Sequence, residues 1–330
     1  MKKYFSKKLV IYLITFFVAV TINWLAPRLI PGNPIDTMLA TYTGPAEGRA
    51  LLETNLRQTF GLEGSLINQY LSFWGQIFKG DLGQSITMYP REVFDIVRSN
   101  IIYDIVVLFP AVILSWIVGN RIGAKAASDK KTDKYLMPFI YGLISSPYFW
   151  FAIIVVYLFS FKLNLFPSSQ AYAGGIRPAF NLSFFLSFLR HWFLPFFTMF
   201  LITIGQWAIG MRNMVIYEVK ANYAHYLKAS GAKDRLIRRY AYRNGVLPQI
   251  TGFAIQLGQV VSGAILVQEV FNYPGLGRLM LEAVQRQDFF LLQGSFLALI
   301  IMVLFANFLA DIIYMFVDPR VRASYSKEGN

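Results

Sequence analysis

The chain has 330 residues, of which 55% are hydrophobic and 15% are charged, and its formal net charge is +13. Soluble domains carry about 25% charged residues, so this composition favours a membrane protein over a soluble two-domain protein. Cysteine is absent and the only histidines are His191 and His225, which excludes disulfides and leaves no Cys/His ligand set for zinc.

Apolar runs long enough to cross a bilayer as helices recur along the chain, and such a run needs roughly 17–25 residues. Six qualify, at residues 9–30, 101–122, 135–160, 192–214, 247–268 and 294–317. The first follows four lysines but lacks a small-x-small cleavage site, so it is interpreted as an uncleaved anchor. The pattern therefore predicts an all-α, multi-pass integral membrane protein with six transmembrane helices.

The distribution of Lys and Arg predicts that both chain ends are cytoplasmic. One alternating set of segments holds 20 basic residues in 70 positions: 1–8, 121–134, 212–246 and 318–330. The other set holds 10 in 126 positions: 31–100, 161–191 and 269–293. The positive excess then faces the cytoplasm and anionic lipid headgroups, which accounts for the net charge without a nucleic-acid partner.

The predicted external region 31–100, between the first two spans, is too long and too apolar for a simple tether. Residues 51–60 and 66–78 have helical spacing of apolar residues, and Gly61 and Gly80 stop them. A second external segment, 269–293, is expected to contain one or two helical turns at 276–284.

Ionisable side chains within the spans are few, with Asp104 and Asp311 near span ends. A proton- or sodium-coupled secondary carrier usually needs such groups at mid-depth, so that class is disfavoured. A membrane scaffold protein without a substrate stays open as an alternative.

Polar and small residues share one face of the fifth run: Gln249, Gly252, Gln256, Gln259 and Gly263. This face either lines a substrate path or forms a helix-packing seam. In the third run, Pro147 after Ser146 predicts a kink, which either forms a gate or fits a neighbouring helix.

No motif for catalysis is present. The chain has no phosphate-binding loop of the G-x-x-x-x-G-K-[ST] type, no H-E-x-x-H and no G-x-S-x-G elbow. The sequence therefore predicts a non-enzymatic chain, and if it belongs to a pump, the energy comes from a separate protein.

The most informative stretch is the basic insert 212–248, which separates the fourth and fifth apolar runs. Its middle, 222–230, is predicted to be a short helix stopped by Gly231. A short helix at the cytoplasmic surface among basic residues favours docking of a soluble partner.

Six motifs in chain order resemble those of the permease subunits, in particular the first of the two, of ABC importers in the dipeptide/oligopeptide/nickel family. They are Leu29-Ile-Pro-Gly-Asn-Pro34, Gly80-Asp-Leu-Gly-Gln-Ser85, Ser146-Pro-Tyr-Phe-Trp150, His191-Trp-Phe-Leu-Pro195, Gln268-Glu-Val-Phe-Asn-Tyr-Pro-Gly-Leu-Gly-Arg278, and Asp311-Ile-Ile-Tyr314 with Asp318-Pro-Arg320. The resemblance runs from about residue 9 to residue 322. It implies a type I importer fold, with residues 1–330 as one transmembrane domain in the prokaryotic inner membrane.

The basic insert resembles the E-A-A loop of ABC importers, whose short helix docks into a cleft of the ATPase. Arg212, Glu218, Tyr223, Gly231 and Asn244 match positions of that loop, whereas 225–227 read His-Tyr-Leu instead of E-A-A. The resemblance implies that residues 212–246 form a cytoplasmic coupling loop. The expected ATPase contacts are Asn222, Tyr223, Ala224, His225, Tyr226, Leu227, Lys228, Ala229, Gly231 and Ala232.

The resemblance also implies partners and further sites. The expected partners are a second homologous permease, two ATPases that bind ATP and magnesium, an external solute-binding protein and the lipid bilayer; this chain itself is expected to bind no cofactor or metal. Gln249, Gln256, Gln259 and Ser146 are candidates for the translocation path. Asp81, Glu269, Tyr273 and Arg278 are candidates for contacts with the binding protein. Peptides are the first expectation for the substrate, with oligosaccharides or nickel complexes as alternatives.

Overall fold

The computed structural model describes residues 2–29, 39, 44–45, 48–51, 53–54 and 64–317, apart from the side chains of 2–5, 7, 27, 251, 254–255, 257–263, 310 and 313–317. In this part of the chain, the ordered elements are helical. They are α1 (Lys2–Leu29), α2 (Leu66–Lys79), α3 (Val93–Ser128), α4 (Lys130–Ser145), α5 (Tyr148–Val156), which continues as a π-helical turn (Tyr157–Lys162), α6 (Leu182–Val219), α7 (Asn222–Ala229), α8 (Asp234–Val270), α9 (Leu276–Gln285) and α10 (Phe289–Val317). The predicted all-α class is confirmed for the described residues, where β-pairing is limited to an isolated bridge between Gln84 and Glu92.

The described residues of all six predicted spans are helical. Four helices in the described residues are long and apolar enough to cross a bilayer: Lys8–Ala26, Val93–Ser128, Leu182–Val219 and Phe289–Leu309. A fifth is added if α4 and α5 with its π-helical turn count as one bent span. The predicted fifth span, 247–268, lies in the helix α8, but many of its side chains are outside the description, so its role as a span stays a prediction.

The third predicted span is a broken helix rather than a kinked one. α4 and α5 meet at Ser146–Pro147 with a bend of 109°. Proline disfavours the helical region for the residue before it, and Ser146 accordingly has an extended backbone, with φ −88° and ψ 132°. The Ser146 hydroxyl donates to the Gly142 carbonyl at 2.8 Å, so one carbonyl near the broken end keeps a partner.

The structure divides into two compact units, of which the first comprises residues 104–273 and 305–317. In this unit α3 and α6 approach closely at glycines. A Cβ atom on Gly123 would lie 2.1 Å from the Ala208 carbonyl oxygen, and one on Gly119 would lie 2.6 Å from that of Ile204. Small residues of this kind let helix backbones approach in a membrane protein.

The second unit comprises the described residues up to 103 together with residues 274–304. Its buried apolar cluster joins the start of α3 to α9 and the start of α10: Val93, Ile96, Val97, Leu276, Leu279, Met280, Ala283, Leu291 and Leu292. The predicted helices at 66–78 and 276–284 are confirmed as α2 and α9. The predicted helix at 51–60 lies mostly outside the described residues.

Asp288 fastens the segment before α3 to the start of α10 within this second unit. Its carboxylate is fully buried and accepts hydrogen bonds from the Ser85 hydroxyl at 2.5 Å, the Thr87 amide and hydroxyl at 2.9 Å each, and the Leu291 amide at 3.0 Å. A buried carboxylate is tolerated when its oxygens receive several donors. Ser85, the last residue of the Gly80–Ser85 motif, therefore has a structural role.

Candidate functional site

The non-helical connection between α6 and α8 is shorter than the run of basic residues in this region suggests. α6 continues to Val219 and α8 begins at Asp234, so the non-helical part of the expected loop 212–246 is confined to the turns on either side of α7. Hydropathy cannot separate a loop from a helix end that leaves the apolar layer, because both are rich in charge. Apart from Arg212, the basic side chains of this region are exposed: Lys220, Lys228, Lys233, Arg235, Arg238, Arg239 and Arg243.

Helix α7 has an inner and an outer face. Ala224 is buried at 3% exposure, and Tyr223 and Leu227 are partly buried, so these three side chains face the rest of the unit. His225 and Tyr226 are exposed, the latter at 72%. The outer face also carries Asn222, Lys228 and Ala229, whereas Ala232 beyond the helix is partly buried. Of the expected contact residues, those on the outer face and the exposed Gly231 can meet a partner directly.

Gly231 turns the chain sharply at the end of α7. Its φ of +80° lies in the left-handed region, which favours glycine. The Ala232 amide donates to the Leu227 carbonyl at 3.0 Å and the Gly231 amide to the Lys228 carbonyl at 3.1 Å, which is the hydrogen-bond pattern of a Schellman motif. The helix therefore ends at a fixed position and exit direction.

Glu218 links α7 to both neighbouring helices. Its Oε2 accepts a hydrogen bond from the Tyr223 hydroxyl at 2.8 Å and another from the Asn244 side-chain amide at 3.1 Å. Glu218 is the next-to-last residue of α6, Tyr223 lies in the first turn of α7 and Asn244 lies in α8. We call these three residues the Glu218 network.

The protonation of Tyr223 suits its role as a donor. Burial, together with the neighbouring Glu218 carboxylate, raises the pKa of Tyr223 to about 12. At neutral pH the phenol is therefore protonated and donates to the carboxylate, which makes this a charge-assisted hydrogen bond.

A second polar link joins α6 to α4. The Arg212 guanidinium donates from Nη2 to Asp133 Oδ2 at 2.8 Å and from Nε to the other carboxylate oxygen. The side chains keep 24% and 34% exposure, so the pair contributes on the order of 1 kcal/mol rather than the larger value of a dry pair. The bidentate geometry of the pair nevertheless fixes the relative orientation of the two side chains.

Together these contacts tie α7 to its neighbouring helices. Met211, Val215 and Ala241 form a buried apolar cluster between α6 and α8, next to the Glu218 network. These contacts attach α7 to the end of α6 and to α8.

The candidate path residues lie on two elements. Gln249 and Gln256 of α8 are buried, at 8% and 2% exposure, and neither amide atom of Gln256 has a hydrogen-bond partner in the described part of the chain. The Gln249 amide packs against Gly210 of α6. Ser146 lies at the break between α4 and α5, and the side chain of Gln259 is outside the description.

The candidate external contacts lie on different elements and differ in exposure. Asp81 is exposed in the turn after α2, where its carboxylate accepts from the Gly83 amide at 2.9 Å. Arg278 lies in α9 and is partly buried, and Glu269 is exposed near the end of α8. Tyr273 is 1% exposed, so its side chain offers no surface to a partner in this structure.

Two residues with clear roles were not predicted. Asp133 was missed as the partner of Arg212, because the two are 79 positions apart and only the fold brings them together. Asp288 was missed as well, although an acidic residue directly before an apolar helical run is a signal for a helix start. In the described residues, no three His, Asp or Glu side chains are grouped closely enough to hold a metal ion.

Comparison with known proteins identifies the family of the chain. Residues 100–323 match the family described as the binding-protein-dependent transport system inner membrane component. The chain is 27% identical to the di/tripeptide transport system permease protein DppB of Pseudomonas aeruginosa, with 98% of this chain and 99% of the relative covered. It is 29% identical to a putative peptide permease protein of Brucella ovis, covering 98% and 100%, and 24% identical to the oligopeptide transport system permease protein AppB of Bacillus subtilis, covering 93% and 96%. The chain therefore belongs to the family of binding-protein-dependent transport system inner membrane components.

Proposed function

We propose that this chain is a membrane-spanning permease subunit of a peptide-importing ABC transporter, and that α7 is its coupling helix. The observation that carries the proposal is the Glu218 network. It supports a short helix that exposes His225 and Tyr226 while being hydrogen-bonded to the ends of α6 and α8. When an ATPase docked on such a helix closes, its movement can displace α7 together with the membrane helices attached to it.

The proposed assembly contains a second homologous permease, two ATPases that bind ATP and magnesium, and an external solute-binding protein. This chain contributes half of the translocation path, without catalysis and without a cofactor of its own. Its proposed topology has six spans, both chain ends in the cytoplasm, and the long region 31–100 outside. The family match and the peptide-transporting relatives support this assembly and a location in the inner membrane of a bacterium.

For the path, the α8 face carrying Gln249 and Gln256 stays our proposal. In this structure the two side chains are 8% and 2% exposed, so contact with a substrate requires a conformation in which they are uncovered. The proposed binding-protein contacts are Asp81, Glu269 and Arg278, whose side chains retain exposure.

The assembly is tested by purifying the tagged chain from membranes with its partners. We expect two ATPase subunits to co-purify in stoichiometric amounts. A chain that purifies alone and transports solute without ATP hydrolysis would instead be a secondary carrier, and one that neither transports nor binds an ATPase would be a scaffold.

Coupling is tested by Gly231→Asp in the reconstituted complex. An aspartate at φ +80° strains the exit of α7 and adds a negative charge to the docking surface. We expect ATP hydrolysis to lose its link to transport while membrane insertion is preserved. Uptake at the wild-type level by this variant would refute the assigned role of the turn.

The substrate is tested by adding solutes and the binding protein to the reconstituted complex and measuring ATP hydrolysis. We expect dipeptides or oligopeptides to stimulate it. Stimulation by oligosaccharides or nickel complexes alone would retain the permease function and replace the substrate.

A further inference from the structure

Helix α4 has one packed face and one open face. The packed face lies against α6, where Asp133 pairs with Arg212. Farther along α4, the Ile144 side chain and the Ile140 carbonyl oxygen would lie 2.7 and 3.3 Å from a Cβ atom on Gly205 of α6. The other side of α4 carries exposed residues spaced at i, i+3, i+4, i+7, i+8 and i+11, which is the spacing of a single helix face. We call them the open face of α4: Lys131, Lys134, Tyr135, Pro138, Phe139 and Gly142.

The contacts between α4 and α6 give the depth of the open face in the membrane. Helix α6 has no Lys, Arg, Asp or Glu from residue 191 to residue 211. At 1.5 Å per residue this stretch is about 31 Å long, which matches the roughly 30 Å of a bilayer's hydrocarbon core. Arg212 therefore marks one surface of the core, and Gly205 is about 10 Å inside it.

Helix α4 accordingly runs from the membrane surface into the hydrocarbon core. Its Asp133 is level with Arg212, and its Ile144 is level with Gly205. On the open face, the two lysines are then at the surface, whereas Phe139, which is 59% exposed, is inside the core. The face changes from charged to apolar at Tyr135, which is 72% exposed. Tyrosine is enriched at this level of membrane proteins, where its ring meets hydrocarbon and its hydroxyl meets headgroups.

The two lysines do not serve the helix that carries them. Cations are unfavourable in the first turns of a helix, because the helix dipole is positive there. Neither Lys131 nor Lys134 forms an ion pair with a residue that the structure describes. The first amides of α4 are already occupied, since the Asp129 carboxylate accepts from those of Lys131 and Thr132 at 3.2 Å each. An anionic partner would therefore bind the lysine side chains and not the helix end.

The partner of the open face has to be negatively charged at the membrane surface and apolar below it. An anionic phospholipid combines both properties in one molecule. A soluble ATPase does not reach Phe139 inside the hydrocarbon core. A second permease would bring its own cytoplasmic boundary, which is rich in Lys and Arg by the positive-inside rule, against the two lysines. Because like charges repel, charge complementarity selects the lipid.

We propose that the open face of α4 binds an anionic phospholipid of the cytoplasmic leaflet. Lys131 and Lys134 bind the phosphate, Tyr135 lies beside the headgroup, and Phe139 and Gly142 contact an acyl chain. A Cβ atom added to Gly142 would meet nothing within 4 Å, so the chain can lie close to the backbone there. The inference rests on the proposed topology, which places this end of α4 on the cytoplasmic side.

Lipid-selective quenching of a fluorophore on the open face tests the site. Phe139→Cys is labelled with the fluorophore, purified with the subunits that accompany the chain and placed in phosphatidylcholine vesicles. The vesicles contain a small fraction of phosphatidylglycerol or of phosphatidylcholine that carries a nitroxide on an acyl chain. A nitroxide quenches the fluorophore only at short range, so quenching measures which lipid occupies the site. The chain has no cysteine of its own, and the unsubstituted chain gives the background from the accompanying subunits.

We expect quenching by the phosphatidylglycerol probe to be several-fold stronger than quenching by the phosphatidylcholine probe. Lys131→Gln combined with Lys134→Gln should abolish this preference. Lys79→Gln combined with Lys162→Gln is the matched control, because it removes two exposed lysines from other parts of the chain. The preference should persist in that control.

Three outcomes would overturn the inference. Equal quenching by the two probes would show a lipid-facing surface without selectivity, and quenching by neither would show that a protein covers the face. Loss of the preference in both lysine pairs would assign it to the overall charge of the chain. If Phe139→Cys does not assemble, Tyr135→Cys carries the label on the same face. The readout needs neither ATP hydrolysis nor a transported solute, so its failure is distinct from a failure of the permease function.

Discussion

Replacing Tyr223 with phenylalanine isolates the hydrogen bond that holds the first turn of α7. The change removes the hydroxyl that donates to Glu218 at 2.8 Å and keeps the ring that packs at the inner face. Glu218 retains its bond from Asn244 at 3.1 Å, so the carboxylate is not left without a donor. The effect is therefore confined to the link between α6 and α7.

The size of the effect follows from the burial of the pair. A hydrogen bond to a charged group contributes about 1.5–3 kcal/mol. Tyr223 and Glu218 are both partly exposed, so solvent reduces this to about 1–2 kcal/mol. We expect the local opening of α7 to become about 5–30 times more frequent.

Hydrogen–deuterium exchange of residues 222–230 in the reconstituted complex measures this opening. Tyr217→Phe is the matched control, because Tyr217 adjoins Glu218 and is 71% exposed. We expect faster exchange in Tyr223→Phe and unchanged exchange in the control. Wild-type exchange in both Tyr223→Phe and Glu218→Ala would refute the idea that the Glu218 network holds the helix.

Three further changes test the packing and polar links. Gly123→Ala should prevent the close approach of α3 and α6 and lower the yield of folded chain on gel filtration. Gly142→Ala is the control and should not lower the yield, because nothing lies within 4 Å of its Cβ. Equal yields would contradict the packing argument. Asp288→Asn should lower the free energy of unfolding by about 1–3 kcal/mol, since one of its four donors would then face an NH2 group. Limited proteolysis of residues 81–92 measures this, with Asp95→Asn as an exposed control, and equal cleavage of the two variants would count against it. Arg212→Lys keeps the positive charge but loses the bidentate contact with Asp133, so we expect the free energy of unfolding to fall by about 1 kcal/mol. An unchanged melting curve would show that charge alone suffices.

The helical class and the approximate positions of the helices followed from the sequence, because lipid-facing helices are apolar over long runs. Helix ends were less predictable. α3 begins at Val93 and α6 ends at Val219, well beyond the apolar runs 101–122 and 192–214. A helix continues past the apolar layer wherever its backbone can, and hydropathy does not record this.

The break at Pro147 shows a second limit. Its position was predicted, but the bend of 109° depends on the packing of α4 and α5 against other helices. Long-range pairs set a third limit. Glu218, Tyr223 and Asn244 were each recognised by resemblance, yet the shared carboxylate oxygen emerges only when α6, α7 and α8 are placed together.

The central claim is that an ATPase docks on the outer face of α7, and photocrosslinking from that face tests it most directly. Tyr226→Cys carries a benzophenone label in the complete complex, and Arg177→Cys, exposed in the segment between the π-helical turn and α6, is the control. We predict that the label at position 226 crosslinks to the ATPase subunit and that the label at position 177 does not. Crosslinking of the ATPase from position 177 alone, or from neither position, would contradict the account.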